Sequence, residues 1–271
     1  MRASTAMWLG AAAAGVCVWS GQASAQGEIV LVRTDAQANA YAETQLDGLT
    51  VWDEAQLRIE AFDRGDEFYR FDQTSGAGSA LPAGPSASAS VRYSASGNPD
   101  GYAVSLGGTV HAALAGEPGF DQRAQASLEL NALETVRFGG DLDDERASGS
   151  SSMAEVRLQI SYVAPEEGTA NSEAYIRLEG LATGPMDWRF NSQDTVLDLT
   201  ILTPIELGTG RNDQLRLAVD WDVFGDAAFG DDEPLDLYTS LDVQASFRFV
   251  PSPASAMLLG LGGVLGVRRR R

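Results

Sequence analysis

The sequence predicts an all-β protein whose body is an antiparallel β-sandwich, jelly-roll-like in character. Apolar and polar residues alternate with a period of two along many short runs, turn-forming residues separate these runs, and no convincing helical stripe is visible. Strands with one buried and one solvated face form antiparallel sheets, since each sheet then covers the core on one side only. Roughly ten or more such runs, spaced by turns, are typical of a sandwich or a jelly roll.

The predicted strands are the runs in which every second residue is apolar. The eight clearest of these runs have, in chain order, the inward-facing residues Leu57/Ile59/Ala61, Val91/Tyr93/Ala95, Tyr102/Val104/Leu106, Ala126/Leu128/Leu130, Val156/Leu158/Ile160/Tyr162, Leu197/Leu199/Ile201, Leu215/Leu217/Val219/Trp221/Val223 and Leu241/Val243/Ala245/Phe247/Phe249. The residues between them are mostly polar, so each strand should bury one face. Ala36–Leu46 is the one stretch for which a helix is an alternative.

Glycine, proline and small polar residues mark the connections. Asn98-Pro99-Asp100-Gly101 predicts a tight turn, because Pro presets φ and Gly accepts a positive φ. Gly107-Gly108 is expected to break or bulge its strand. Two stretches of low complexity, Thr74–Ser90 and Asp144–Ser152, are expected to be mobile surface loops. Similar strands flank both, which favours one domain over residues 26–250, with a division near residue 80 as the alternative.

The charge of the chain restricts its partners. The formal net charge is −19, every basic residue is Arg, and the 38 acidic residues all lie within residues 26–250. Nucleic acids and anionic lipids are bound through basic surfaces, so this composition argues against both as partners. It favours solubility outside the cell and some affinity for divalent cations.

Residues 1–25 have the pattern of a secretory signal peptide. A charged start at Arg2 precedes an apolar stretch, and Ala23-Ser24-Ala25 provides small residues before Gln26. The sequence therefore predicts a signal helix, export through the Sec translocon, and cleavage by signal peptidase after Ala25. Cys17, the only cysteine, lies in this segment, so the mature protein should have no thiol for a disulfide, a metal or a nucleophile.

Together with Val250, residues 251–271 form a C-terminal segment with three parts. Their order is Val250-Pro251-Ser252-Pro253-Ala254-Ser255, the apolar run Ala256–Val267, and Arg268-Arg269-Arg270-Arg271. Counted from Ala254, the run would reach only about 21 Å as a helix, whereas a bilayer core is about 30 Å thick. The arginines should stay cytoplasmic as a topological stop. We expect a short, transient membrane helix; a plain tail anchor or a disordered basic tail is the alternative.

This order of proline motif, short span and arginine cluster resembles the PEP-CTERM sorting signal of Gram-negative bacteria. The resemblance is limited to the C-terminal segment, and Ser252 stands where the family usually has Glu, which leaves open the sortase subtype. The resemblance implies that an exosortase-type transpeptidase removes the tail after transient anchoring in the inner membrane. It also implies a place at the cell surface or in the extracellular matrix, alongside exopolysaccharide and biofilm formation.

The body offers no specific catalytic constellation, and we predict no catalytic residue. His111 is the only histidine and should face solvent, and one histidine without cysteines cannot form a zinc site. A Gly-x-Ser-x-Gly nucleophile elbow is not found. Asp220 and Asp222 flank Trp221 on a solvated strand face, but so acidic a chain offers many carboxylate pairs, and none is specific for a hydrolase.

Two further features could bind a ligand. Asp141 and Asp143, and also Asp231 and Asp232, lie in acidic clusters that are weak candidates for Ca²⁺ ligands. Solvated acidic loops are the expected reading, and we predict no cofactor. Two tryptophans outside the regular alternation, Trp52 and Trp188, are candidates for a sugar-stacking platform, although a core or edge position is the expected interpretation of each.

The sequence therefore favours an exported, non-enzymatic envelope or matrix protein. A carbohydrate-binding module, with exposed aromatic rings and structural calcium, is the second hypothesis, and a polysaccharide-active hydrolase is the third. Coplanar exposed rings on a sheet face would favour the second hypothesis, and a cleft with converging carboxylates would favour the third.

Overall fold

The computed structural model describes residues 29–64, 69–81, 84–98, 101–114, 122–139, 151–166, 170–206, 213–228 and 236–250. These residues form two six-stranded antiparallel sheets that pack face to face around one core. The predicted antiparallel β-sandwich is confirmed. Within the described ranges, no helix is long and apolar enough to span a membrane. The signal segment 1–25 and the sorting segment 251–271 lie outside the described residues.

Twelve strands make up the described part of the sandwich. They are β1 (Ile29–Leu46), β2 (Leu49–Arg64), β3 (Tyr69–Ala80), β4 (Ser86–Asn98), β5 (Gly101–Ala113), β6 (Gln122–Phe138), β7 (Ser151–Val163), β8 (Ala170–Glu179), β9 (Met186–Phe190), β10 (Thr195–Glu206), β11 (Gln214–Ala228) and β12 (Asp236–Val250). Sheet A has the order β2-β1-β6-β11-β8-β9, and sheet B has the order β10-β7-β12-β5-β4-β3.

The alternation seen in the sequence determines which face of each strand is buried. Large side chains such as Trp221, Tyr93, Tyr162 and Phe138 are fully buried between the sheets. Each buried side chain of this size stabilises the folded state by about 1.5–3 kcal/mol. The predicted runs all lie within strands, and their inward residues face the core, although those of β10 are only half-buried.

The structure decides one open question about local structure and shows that one expected loop is wrong. Ala36–Leu46 belongs to strand β1, not to a helix. Thr74–Ser90 is not a loop but the second half of β3 and the start of β4, joined by a short connection. Its alanines, such as Ala77 and Ala89, are buried, while the serines of β4 face outward. Alternation is therefore present in this stretch, but only between Ala and Ser.

Gly107 and Gly108 do not break or bulge strand β5, which pairs in continuous register with β4 and β12. Both glycines instead allow close packing. A Cβ on Gly107 would clash with the Leu241 carbonyl oxygen of β12. A Cβ on Gly108 would lie 2.5 Å from Leu128 Cδ2 and 3.1 Å from Trp221 Cζ3 of sheet A, so the sheets could not approach each other.

Strands β4 and β5 form a hairpin at the position of the predicted turn, of which Pro99 and Asp100 lie outside the described residues and Gly101 has no positive φ. Asn98 pairs with Gly101, and the Gly101 N–H donates to Asn98 Oδ1 at 3.0 Å. A second hairpin joins β1 to β2 through Asp47 and Gly48, whose φ values of 48° and 80° are those of a type I′ turn.

One lateral side of the sandwich is closed by side chains. Edge strand β2 of sheet A and edge strand β3 of sheet B are joined by three hydrogen bonds: Ser75 Oγ to Gln56 O (3.0 Å), Gly78 N to Asp53 Oδ2 (3.0 Å) and Ser79 Oγ to Val51 O (2.8 Å). These bonds satisfy backbone groups that an edge strand otherwise leaves unpaired.

Candidate functional site

A groove of about 530 Å³ crosses strands β2, β1, β6 and β11 on the outer face of sheet A. The outward-facing side chains that line it are Asn39, Tyr41, Glu54, Gln56, Ser127, Glu129, Asp222 and Phe224. These residues face outward because their neighbours along each strand, such as Ala40, Leu128 and Trp221, are buried in the core.

Three aromatic residues form a band along this face. Tyr41 lies opposite Ser127, which in turn lies opposite Phe224, so the two rings flank a small side chain at about two strand spacings, ~10 Å. Trp52 of β2 lies opposite Glu43 and is therefore a diagonal neighbour of Tyr41. Trp52 is 60% exposed and Phe224 is 45% exposed. We call Trp52, Tyr41 and Phe224 the aromatic band.

A row of polar side chains runs beside the aromatic band. The strand register places, in order across five strands, Gln56, Asn39, Glu129, Asp222 and Glu173 directly opposite one another. We call these five residues the polar row. Amide groups both donate and accept hydrogen bonds, and carboxylates accept them, so the row can bind several hydroxyl groups of one ligand.

The electrostatics of the site are dominated by its carboxylates. Partial burial raises the pKa of Asp220, and repulsion from Asp222 and Glu129 raises it further. The Tyr41 hydroxyl donates to Glu43, and this hydrogen bond is the main cause that raises the pKa of Tyr41 to about 12. The phenol therefore stays protonated and tethered, which restricts the motion of its ring.

A second groove, of about 520 Å³, lies on the outer face of sheet B. Serine and glutamine side chains line most of it, with Arg70 and Arg157 toward its ends. Phe71, the aromatic residue of its lining, packs against the core. This groove therefore offers polar contacts without an exposed ring.

The two tryptophans that the sequence singled out differ in their exposure to solvent. Trp52 is exposed in the aromatic band, whereas Trp188 of β9 is half-buried against the core. His111 faces outward as predicted, with Nε2 at 2.8 Å from Asp236 Oδ1. Asp220 and Asp222 lie on the solvated face as predicted.

The weak calcium candidates Asp141, Asp143, Asp231 and Asp232 lie outside the described residues. Of the residues that the structure does describe, no three or more His, Cys, Asp or Glu are grouped to hold a metal ion. The signal cleavage residues and the sorting residues also lie outside, except Val250, which ends β12.

Sequence reasoning missed a buried carboxyl group, Glu134 of β6, which is 1% exposed. Three hydroxyls donate to it: Thr34 Oγ1 at 2.7 Å, Tyr93 OH at 2.8 Å, and Tyr102 OH. Burial raises the pKa of the Glu134 carboxyl to about 7, although these hydrogen bonds oppose the shift. Glu134 has the same parity as Leu130, so its inward position could have been predicted.

No known protein family and no curated protein matches this chain. Among solved structures, the chain is similar to the VP2 subviral particle of infectious bursal disease virus, with 8% identity and a TM-score of 0.13 over 86% of this chain and 84% of that chain. The Gt strain of that virus gives 10% identity and a TM-score of 0.14 over 86% and 68%. Similarities at these TM-scores carry no argument about fold or function.

Proposed function

We propose that this protein is an exported, non-enzymatic component of the cell envelope or extracellular matrix that holds polysaccharide in the groove of sheet A. The observation that carries the proposal is the aromatic band beside the polar row. Aromatic faces stack on the apolar faces of sugar rings, and amides and carboxylates bind their hydroxyls. The carboxylates favour neutral or amino-bearing polysaccharides over anionic ones, because like charges repel.

Export is supported by the two ends of the sequence. Residues 1–25 resemble a signal peptide for the Sec translocon, and residues 251–271 resemble a PEP-CTERM signal for an exosortase-type enzyme. On this proposal the tail forms a short helix that anchors the chain transiently in the inner membrane. The processed protein then reaches the cell surface or matrix, where exopolysaccharide is available as a ligand.

The arrangement of carboxylates favours binding over hydrolysis. Glycoside hydrolysis needs two carboxyl groups on either side of the scissile bond. Glu129, Asp222 and Glu173 instead lie side by side in one row of adjacent strands. Glu43 and Asp226 lie on the other side of the aromatic band, but Glu43 accepts a hydrogen bond from Tyr41 and Asp226 is paired with Arg123.

Glycan-array binding tests the proposal, with the exported protein measured in the presence and absence of Ca²⁺. We expect binding to a polysaccharide, and a loss of roughly tenfold or more in the Tyr41→Ala/Phe224→Ala double variant, since both rings that line the groove are then removed and tenfold corresponds to about 1.4 kcal/mol. Tyr238→Ala is the matched control, because Tyr238 is an exposed tyrosine of sheet B. Flat responses, or equal losses in both variants, would contradict the proposal.

The hydrolase alternative is tested on any polysaccharide that binds. Release of new reducing ends by the wild type, abolished in Glu129→Gln, would show an enzyme. We expect no release by either protein, because Glu43 and Asp226, the carboxylates across the aromatic band from Glu129 and Asp222, are held by Tyr41 and Arg123.

Processing is tested by the intact mass of the exported protein. We expect a product that has lost the initial residues 1–25 and the terminal Arg268–Arg271. Deletion of Arg268–Arg271 should alter its destination, since these residues hold the tail on the cytoplasmic side. Full-length chain in the envelope would overturn this part of the proposal.

A further inference from the structure

Strand β10 has an open edge in the part of the chain that the structure describes. Strand β10 is the last strand of sheet B and pairs with β7 alone. It has twelve residues, whereas β9, at the corresponding end of sheet A, has five. Val196 is 83% exposed and Leu202 is 57% exposed on its outer face. Long apolar edge strands of this kind are templates for pairing with another strand.

The direction of the free backbone groups follows from Pro204. Proline has no N–H to donate, so within sheets it occupies positions whose nitrogen faces away from the ladder. Backbone groups point to alternate sides along a strand. Val196, Asp198, Thr200 and Leu202 share the parity of Pro204, so their N–H and C=O groups point to the open edge.

The sequence of β10 is nearly the same in both directions about Leu199. It is Thr195-Val196-Leu197-Asp198-Leu199-Thr200-Ile201-Leu202-Thr203. We infer that β10 pairs antiparallel with β10 of a second copy of this chain, about a two-fold axis at Leu199. The two sheets B then become one continuous sheet of twelve strands.

In this register the apolar side chains between Val196 and Leu202 meet apolar partners. Val196 lies opposite Leu202 of the second copy on the outer face, and Leu197 lies opposite Ile201 of the second copy on the inner face. Directly opposite side chains are about 4.5–5.5 Å apart at Cβ, which is contact distance for these residues. Leu197 and Ile201 are only half-buried in the single chain, so the second copy completes their burial.

Charge and register also agree. Two copies of a chain with net charge −19 repel each other, so a docking surface must avoid acid–acid contacts. Within Thr195–Ile205 the single charged residue is Asp198, which accepts a hydrogen bond from Gln159 Nε2 at 3.1 Å. Pairing about Leu199 places Asp198 opposite Thr200 of the second copy, so the two Asp198 side chains are diagonal neighbours and do not lie directly opposite each other. A shift by two residues would instead place it opposite Leu202 and place Val196 opposite Pro204.

The size of the contact sets the expected affinity. A single pair of strand edges buries less than the roughly 1,200–2,000 Å² of a standard stable interface. The dimer should therefore be reversible, with a dissociation constant on the order of micromolar or weaker. Screening by salt should strengthen it, because the general repulsion between the copies falls.

Sedimentation velocity of the full chain over a range of concentrations tests the inference. The wild type should shift from monomer to dimer as its concentration rises. Val196→Lys and Leu202→Asp should each weaken the dimer roughly tenfold or more, since each change places a charge against an apolar residue twice per dimer. The V196K/L202D double variant should recover most of the loss, because each new Lys then faces a new Asp across the axis.

The double variant makes the test specific for the register. Leu49→Lys is the matched control, since Leu49 is an exposed apolar residue of sheet A and should leave association unchanged. A wild type that stays monomeric throughout would overturn the inference. So would single variants that associate like the wild type, or a double variant without recovery. Far-UV circular dichroism and the melting temperature of each variant confirm that the fold is retained.

Discussion

Tyr93 of sheet B donates a hydrogen bond of 2.8 Å to Glu134 of sheet A, so this pair joins the two sheets through the core. Tyr102 of sheet B reaches the same carboxyl group, and Thr34 of sheet A completes the set of donors. A buried carboxyl is costly unless its oxygens are hydrogen-bonded, and here both oxygens have a donor.

The pH dependence of stability should carry the signature of Glu134. Its pKa is about 7 in the folded protein against an ordinary 4.5. The folded state therefore holds this proton more tightly, and the resulting stabilisation is complete below pH 4.5 and lost as the pH rises through 7. The loss is on the order of 3 kcal/mol. Glu155 and Asp226 act in the opposite direction at lower pH, because arginine partners lower their pKa values.

Urea denaturation across this interval measures the effect in the wild type and in Glu134→Gln. The variant keeps the size of the side chain and a hydrogen-bond acceptor but cannot ionise. Its free energy of unfolding should be nearly independent of pH where that of the wild type falls. If the free energy of unfolding of the variant falls with pH as steeply as that of the wild type, the titration belongs to another group.

Tyr93→Phe should lower the free energy of unfolding by about 1–3 kcal/mol. The change removes the donor to Glu134 Oε1 and leaves a buried oxygen unsatisfied. Tyr175→Phe is the matched control, since its hydroxyl also donates to a carboxylate, that of Asp187 at 2.9 Å, but in an exposed position. That variant should change stability by less than about 0.5 kcal/mol. Equal losses of stability in the two variants would show that the buried hydrogen bond stabilises the fold no more than the exposed one.

Gly108→Ala should destabilise the protein by about 1–3 kcal/mol, because the added methyl group forces the sheets apart at Leu128 and Trp221. Gly78→Ala should be neutral or slightly stabilising. Nothing lies within 4 Å of the Cβ it would add, and Ala has less freedom to lose on folding. Thermal unfolding of both variants checks this contrast, and a tolerated Gly108→Ala would contradict the packing account.

Asp222→Asn should stabilise the protein by about 0.2–1 kcal/mol at low salt, because Asp222 lies directly opposite Glu129 and Glu173. The pKa of Asp220 should fall toward its ordinary 3.8, since Asp222 is the largest of the charges that raise it. Carboxyl NMR titration and denaturation at two salt concentrations measure both effects. Asp72→Asn is the control, because Asp72 is paired with Arg70 and its loss should not stabilise.

The strands that could be predicted are those with strong hydrophobic contrast. In β11, Leu215 through Val223 alternate with polar residues without interruption, so its buried face follows from the sequence. In β3 and β4 the same alternation is carried by Ala against Ser and Gly, and so small a difference in hydrophobicity resembles a flexible loop. Gly107 and Gly108 were misread for a related reason. Their role is set by Leu241, Leu128 and Trp221, which are distant in the chain.

Only part of the candidate site could be predicted from the sequence. Trp52 was singled out because it falls outside a regular alternation. Tyr41 and Phe224 were not, because their proximity depends on β6 pairing with both β1 and β11. Such long-range order is decided by the complete set of strand pairings and not by any local pattern. Glu134 could have been found, since it continues the inward parity of β6.

The side-chain closure between β2 and β3 limits how far copies of this protein can polymerise. Joining two molecules through β10 uses the open end of each sheet B and leaves β3 at both outer ends. Because the Gly78 N–H of β3 and the Gln56 and Val51 carbonyl oxygens of β2 are already bonded across this side, those ends are less open to a third molecule than β10 is. On the inferred pairing, edge association therefore favours a dimer over a fibre.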